Sequence, residues 1–282
     1  MMLAPFNYPL NETYTMMIPA LLMGNVIVLK VPACGGLVHF LTIVALQKAL
    51  PPGVVNFVTG EGRKTMRPIM QSGLVDCLGF IGGARAADDL IKQHPSPHRL
   101  KVFSQLEANN IAIVLPDADL ETATKQILLG SLSYNGQRCT ACKLVMVHDS
   151  IASILTGKIV AGVNALKIGL PWEGAAITPL PEPGKPAYLE SLINDAVSKG
   201  AKVVNASEGG GSCAGSLFTP AVLYPVAPAM RVFDEEQFGP IVPIASYSNI
   251  NEVHDVVRAS WNGQQAAVFA KDPKVAASLV DM

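Results

Sequence analysis

Charge is scarce in this sequence. Asp, Glu, Lys and Arg supply 15% of 282 residues and nearly cancel, leaving a net charge of −1. No basic block stands out and aromatics reach only 6%, so the chain has neither the field nor the stacking surface that nucleic-acid binding needs. The longest apolar run, "MMIPALLMGNVIVL", is broken by Pro19, Gly24 and Asn25 and ends at Lys30. A membrane-spanning helix needs about 20 nearly unbroken apolar residues, so no membrane association is expected. The N-terminus has no positively charged region leading into an apolar stretch and a small-residue cleavage site, so no secretory signal is expected. Cysteines number five, at irregular spacing, which argues against a disulfide scaffold and for a reducing, cytoplasmic compartment.

Hydrophobic residues, at 50%, are plentiful, and they are patterned. Strand-like runs at 25–30, 54–60 and 75–83 alternate with helical stretches at 37–50, around "RKTMRPIMQSG" and at "ARAADDLIKQ". A second block opens at "IAIVL", followed by a helix that ends near Gly136 with Leu120, Ala123, Ile127, Leu128 and Ser131 on one face. Helices at "ASILTGKIVAGVNALKIG" and "AYLESLINDAVSKG" and a strand at "AKVVN" follow. The segment "LPWEGAAITPLPEPGKPA" carries five prolines and reads as an extended connection. "PIVPIASY", "INEVHDVVRAS", "QAAVFAK" and "PKVAASLV" continue the alternation to the end. Apolar strands each followed by a helix predict parallel sheets covered on both faces, the doubly wound α/β class.

The chemistry centres on "YNGQRCTACK". Cys139 lies just past a helix end, where a loop can present a side chain. As a metal ligand it lacks a second Cys or His pair at ligand spacing. As a redox pair, Cys139 and Cys142 precede a strand instead of opening a helix. From the residues alone, Cys139 is either a small buried residue or a nucleophile. Three further stretches bear on that choice: "FSQLEANN" with Glu107, "PFNYP" with Asn7, and "DEEQFGP" with Glu236.

In this order along the chain, these stretches resemble the aldehyde dehydrogenase superfamily over almost the whole sequence. "GQRCTA" is similar to the family's nucleophile motif and "QLEANN" to its glutamate motif. "PFNYPLNETY", "NGQRCTA" and "ITPLPEPGKPAYL" are closer still to its non-phosphorylating glyceraldehyde-3-phosphate dehydrogenase branch. The resemblance implies a fold of two doubly wound α/β domains truncated at both ends. Residues 1–108 would be a partial dinucleotide-binding domain and 109–282 an incomplete catalytic domain. It implies Cys139 as nucleophile, Glu107 as the base that activates water, and Asn7 as an oxyanion donor. In related sites such a donor is worth about 3 kcal/mol.

Lys30 and Glu236, with Phe238 beside it, match the cofactor-ribose positions. Gly82 and Gly83 match a turn whose following helix faces the pyrophosphate, although G-x-G-x-x-G itself is absent. Gly83 and Ala87 depart from the serine and glycine common there, and Asn109 stands where close relatives have lysine. After Lys30 the sequence reads "VPA", with no carboxylate to repel a 2′-phosphate, so NADP is expected over NAD. Arg138 is expected to hold a substrate phosphate. The implied reaction is NADP-dependent oxidation of glyceraldehyde 3-phosphate to 3-phosphoglycerate through a thioester. A homo-oligomer is expected for the full-length family. The alternatives are a catalytically silent structural or interaction subunit and a broad-substrate aldehyde dehydrogenase.

Overall fold

The structure is a computed structural model describing residues 1–263 and 265–280. It divides into two compact units, Met1–Glu107 and Ala108–Met282.

The first unit is a five-stranded parallel sheet in the order β3-β2-β1-β4-β5. Its strands are β1 (Met2–Leu3), β2 (Ile27–Lys30), β3 (Val55–Val58), β4 (Cys77–Ile81) and β5 (Lys101–Gln105). The helices are α1 (Asn11–Leu22), α2 (Leu37–Phe40), α3 (Ile43–Ala49), α4 (Gly62–Gln71) and α5 (Ala84–Gln93). On one face Leu78 and Phe80 pack with Met66 and Met70 of α4 and Leu90 of α5. On the other, Met2, Ile27 and Leu29 pack with Met17 of α1. Each such side chain, fully buried, contributes about 2 kcal/mol.

The apolar run read as non-spanning thus begins as a sheet-covering helix, with Pro19 inside it. The strand predicted from residue 25 starts at Ile27, because both the backbone and the side-chain amide of Asn25 donate to the Ala20 carbonyl at 3.0 Å and close α1. The single helix predicted over 37–50 is two. The Thr42 hydroxyl donates to the His39 carbonyl (2.7 Å) and accepts from the Tyr14 hydroxyl (2.5 Å), ending α2 with side-chain bonds that compete with helical ones. At the sheet edge β5 is exposed, with Phe103 66% exposed.

The second unit contains a six-stranded sheet, β13-β6-β7-β12-β11-β8, parallel except for the β11–β8 pair. Its strands are β6 (Asn110–Val114), β7 (Cys142–His148), β8 (Lys202–Val203), β11 (Ala221–Tyr224), β12 (Ile241–Tyr247) and β13 (Ala266–Phe269). Two short strands, β9 (Cys213–Ala214) and β10 (Leu217–Phe218), form a separate antiparallel pair. Alternate residues of β6 enter opposite cores, Ile111 and Ile113 on one face and Ala112 and Val114 on the other. Helices α6 (Leu120–Leu132) and α7 (Asp149–Asn164) cover the second face, while α8 (Lys185–Ser198) covers the first. Short α9 (Arg231–Asp234), α10 (Ile250–Ala259) and α11 (Pro273–Val280) complete the unit.

These are the doubly wound sheets the alternation predicts. The differences are local. The strand at "AKVVN" is only two residues long. The proline-rich connection includes a 3-10 turn at Pro171–Glu173 and ends before Pro186, which lies in the first turn of α8, where a missing N–H costs nothing. No helix among the described residues is long and apolar enough to cross a membrane.

Candidate active site

In the first unit, strand order reverses between β1 and β4, and the loops at such a switch point open a ligand crevice at the carboxyl ends of the strands. Asn7 lies in the bend after β1, Lys30 ends β2, Gly82 and Gly83 follow β4, and Glu107 follows β5. All the first-unit residues singled out from sequence therefore lie at the carboxyl ends of the strands. Lys30 is buried, its ammonium donating to the Val31 carbonyl at 2.6 Å, and burial holds its pKa below the ordinary lysine value.

Glu107 is engaged in a way the sequence did not foretell. Its Oε2 accepts the Ala84 backbone N–H at 2.8 Å, at the start of α5. Its Oε1 lies 2.9 Å from where a Cβ on Gly83 would stand, so a larger residue there would shift the tip of the Glu107 side chain. The carboxylate is thus a resident anion at the helix N-terminus, where free N–H groups and the helix dipole favour negative charge. The same N-terminus was expected to face a pyrophosphate, so it demonstrably accepts an anion and fits a phosphate-bearing cofactor once Glu107 has left.

The second unit builds its site at the amino ends of its parallel strands. Helix α6 stops at Leu132 instead of running to Gly136, and Tyr134, Asn135 and Gly136 follow with φ of 54°, 59° and 69°. Asn135 holds this left-handed stretch by accepting the Thr178 N–H at 2.9 Å and donating to its hydroxyl at 3.2 Å. Gly136 is required twice over, since a Cβ there would meet the Gly239 and Ser131 carbonyls at 2.6 and 2.7 Å.

The reversal delivers a tight turn, Arg138–Ala141, closed by the Ala141 N–H on the Arg138 carbonyl at 3.1 Å. Cys139 sits in it, half-buried. Every carbonyl of the turn takes a side-chain donor. Lys143 reaches that of Arg138 (2.9 Å), Asn110 those of Cys139 (2.6 Å) and Ala141 (2.8 Å), and the Gln265 amide that of Thr140 (2.7 Å). The Arg138 guanidinium donates to the hydroxyls of Ser133 (2.5 Å) and Thr140 (3.1 Å), and among the described residues no carboxylate pairs with it. Cys142 opens β7 against the core, and burial pushes its thiol up to about 11.

The Glu236–Phe238 segment leads into β12 beside this turn. Glu236 pairs with the Lys143 ammonium at 3.1 Å, and the Phe238 ring lies under it at 5.0 Å, with Phe238 at φ 43°. Buried Gln237 pins the segment by donating to the Lys143 (2.9 Å) and Ile241 (3.2 Å) carbonyls. Lys185, from the start of α8, lies 5.5 Å over the Phe238 ring and 3.8 Å from Glu182, whose carboxylate accepts from Gln137 at 2.9 Å. Tyr188 donates to the Glu236 carbonyl at 2.7 Å, with the Glu235 carboxylate 3.1 Å from the same hydroxyl, and burial pushes that hydroxyl well above the usual range. Asn109 donates to the Phe233 carbonyl at 2.9 Å, a structural tie.

Sequence reasoning missed Lys143, Asn110 and Gln265. Lys143 had a legible signal, as a single charge inside the apolar strand "CKLVMV", where an unpaired ammonium would be costly. No group of His, Cys, Asp and Glu among the described residues forms a metal site.

Comparison with known proteins bears directly on this arrangement. The family model described as the aldehyde dehydrogenase family matches residues 1–282. The NADP-dependent glyceraldehyde-3-phosphate dehydrogenase of Streptococcus equinus is 38% identical over 271 residues, covering 96% of this chain and 56% of that protein. The enzyme of the same name from Pisum sativum is 34% identical over 278 residues, covering 98% and 54%. The crystal structure of NADP-dependent glyceraldehyde-3-phosphate dehydrogenase from Bacillus halodurans C-125, complexed with NADP, superposes with a TM-score of 0.90 at 36% identity. That match covers 99% of this chain and 58% of that one. The chain spans about half the length of the curated relatives it matches.

Proposed function

The chain belongs to the aldehyde dehydrogenase family, and from that premise we propose that it serves NADP-dependent oxidation of glyceraldehyde 3-phosphate to 3-phosphoglycerate through Cys139. One observation carries this reading. The thiol stands on a turn whose carbonyls are all held by side-chain donors, beside a guanidinium with no carboxylate partner among the described residues.

In this reading the Cys139 thiolate adds to the aldehyde carbon, and the carbonyl oxygen becomes an oxyanion. The Cys139 N–H donates to it, with the Asn7 amide as the second donor that the family resemblance implies, preorganised donation being usually the largest single source of stabilisation in such sites. Lys30, the Gly82–Gly83 turn, the α5 N-terminus, Glu236 and Phe238 would hold NADP, which would supply the hydride acceptor. Loss of hydride from the adduct leaves a thioester on Cys139. Glu107, released from α5, takes a proton from water, and the resulting hydroxide displaces the thiolate to give the acid. Arg138 holds the substrate phosphate with planar, paired donors. A reducing cytoplasmic setting belongs to the same reading and accords with five free cysteines.

A second reading, a catalytically silent subunit derived from the family, is favoured by the commitment of Glu107 to α5. The two separate in phosphate-free buffer with NADP and glyceraldehyde 3-phosphate. The catalytic reading expects NADPH from the wild type and none from Cys139→Ser. It also expects Glu107→Gln to form one equivalent of NADPH and stall. Silence of a folded wild type supports the second reading.

A further inference from the structure

Resting on the reading of Cys139 as a reacting thiol, we propose that Lys143 is the positioning residue of this site. Its buried ammonium fixes the Arg138–Ala141 turn and holds a positive field on the Cys139 sulfur, and the Glu236 carboxylate sets how much of that field the sulfur feels.

Lys143 is 1% exposed as the second residue of the apolar strand β7. Removing an ammonium from water costs several kcal/mol unless its donors are matched. Here its three donors meet the Arg138 carbonyl (2.9 Å), the Gly136 carbonyl (3.5 Å) and the Glu236 carboxylate (3.1 Å). Two of these partners belong to the nucleophile loop and the third to the segment leading into β12. One side chain thereby ties together two stretches of chain that are far apart in sequence.

The Arg138 carbonyl it grips also shares a peptide unit with the Cys139 N–H. Charge on that oxygen polarises the peptide and makes the N–H a stronger donor, in the sense that coupled hydrogen bonds reinforce each other. Burial holds Lys143 below the ordinary lysine value, opposed first by Glu236 and then by the Cys139 and Cys142 sulfurs. Among the described residues of the unit, other charged groups near the turn include Arg138, bound to hydroxyls, Lys185, paired with Glu182, and Glu235, bound by Tyr188. Of the carboxylates in this network, Glu236 alone touches Lys143, so the two form a charge pair of opposite effect on the thiol.

The test is the rate of Cys139 alkylation by iodoacetamide across pH, read by fragment-ion mass spectrometry so that Cys139 and Cys142 are counted separately. Thiolate is the reacting form, so the rate follows the local field. Lys143→Met is expected to slow alkylation about tenfold at neutral pH and to move the profile to higher pH. Glu236→Gln, leaving the ammonium unopposed, is expected to quicken it about threefold and move the profile the other way. A purely structural role would loosen the turn in both variants and move both rates in the same direction. Shifts of the same sign, or none, overturn the proposal.

Should Lys143→Met fail to fold, the direction of the Glu236→Gln shift decides alone. If these shifts occur while the wild type makes no NADPH, the dehydrogenase reading fails and the role of Lys143 stands. If NADPH is made and the shifts are absent, the reverse holds.

Discussion

Replacing Asn110 with alanine is the perturbation whose cost the structure specifies most fully. Asn110 is 3% exposed and opens β6, where the register against β7 slips between Asn110 and Ile111. Its amide donates to the Cys139 and Ala141 carbonyls at 2.6 and 2.8 Å, and its oxygen accepts the Gln265 N–H at 3.1 Å. Three hydrogen bonds at about 1 kcal/mol net each give about 3 kcal/mol. The Ala141 carbonyl, on a residue 1% exposed, stays buried and unpaired, while the other two groups lie where water can reach. That orphan adds about 1 kcal/mol, for a total of about 4 kcal/mol. Urea unfolding followed by circular dichroism reads the loss, and hydrogen exchange across residues 137–143 reads where it occurs. Asn110→Asp, which keeps the acceptor but turns a carboxylate toward two carbonyls, should do no better than alanine. A loss below about 1 kcal/mol, with exchange unchanged in that segment, would refute the claim that side-chain donors hold the Arg138–Ala141 turn.

Other expectations follow from single contacts. Gly136→Ala combines a φ of 69° with overlap on two carbonyls, so it should cost at least about 3 kcal/mol, measured by thermal unfolding. Gly174→Ala, at φ 67° in open space, is the control and should lose only about 1 kcal/mol. Glu107→Gln removes the resident charge from the α5 N-terminus, so NADP should bind about threefold more tightly by calorimetry; weaker binding would contradict that occupancy. His39 is fully buried, stacked on Tyr14, with neither ring nitrogen hydrogen-bonded, and burial holds it below its ordinary pKa of 6.5. The unfolded chain therefore takes up this proton first, and the stability His39 carries above pH 6.5 is lost as pH falls through its folded value. His39→Phe should flatten the decline in melting temperature between pH 7.5 and about 5.5, and an equally steep decline in the variant would place the acid sensitivity elsewhere.

Most strands of the two sheets were legible because they are unbroken apolar runs set between helices, a pattern that follows from burial on both faces, whereas the exposed edge strand β5, KVFSQ, carries no such run. Element ends were harder, since side-chain hydrogen bonds decide them. Thr42 splits one helix and Asn25 delays a strand, and neither effect shows in periodicity. Cys139, Glu236 and Phe238 were singled out through motif resemblance, and the structure sets Lys143 against Glu236 and Phe238 and Asn110 against the Cys139 carbonyl. The role of Asn110 was invisible because the carbonyls it binds are brought close only by folding, Cys139 lying 29 residues away, whereas Lys143 stood out as a lone charge in an apolar strand. Glu107 shows the opposite case. A motif marked the residue, and only the structure showed its carboxylate bound to the first N–H of α5.

The central claim is that Cys139 becomes acylated. The most direct test mixes the protein with NADP and glyceraldehyde 3-phosphate, quenches in acid and weighs the peptide bearing Cys139. A 3-phosphoglyceroyl adduct on that cysteine, formed only when NADP is present and accumulating in Glu107→Gln, is the predicted result. Folded wild-type protein that makes neither adduct nor NADPH would contradict it.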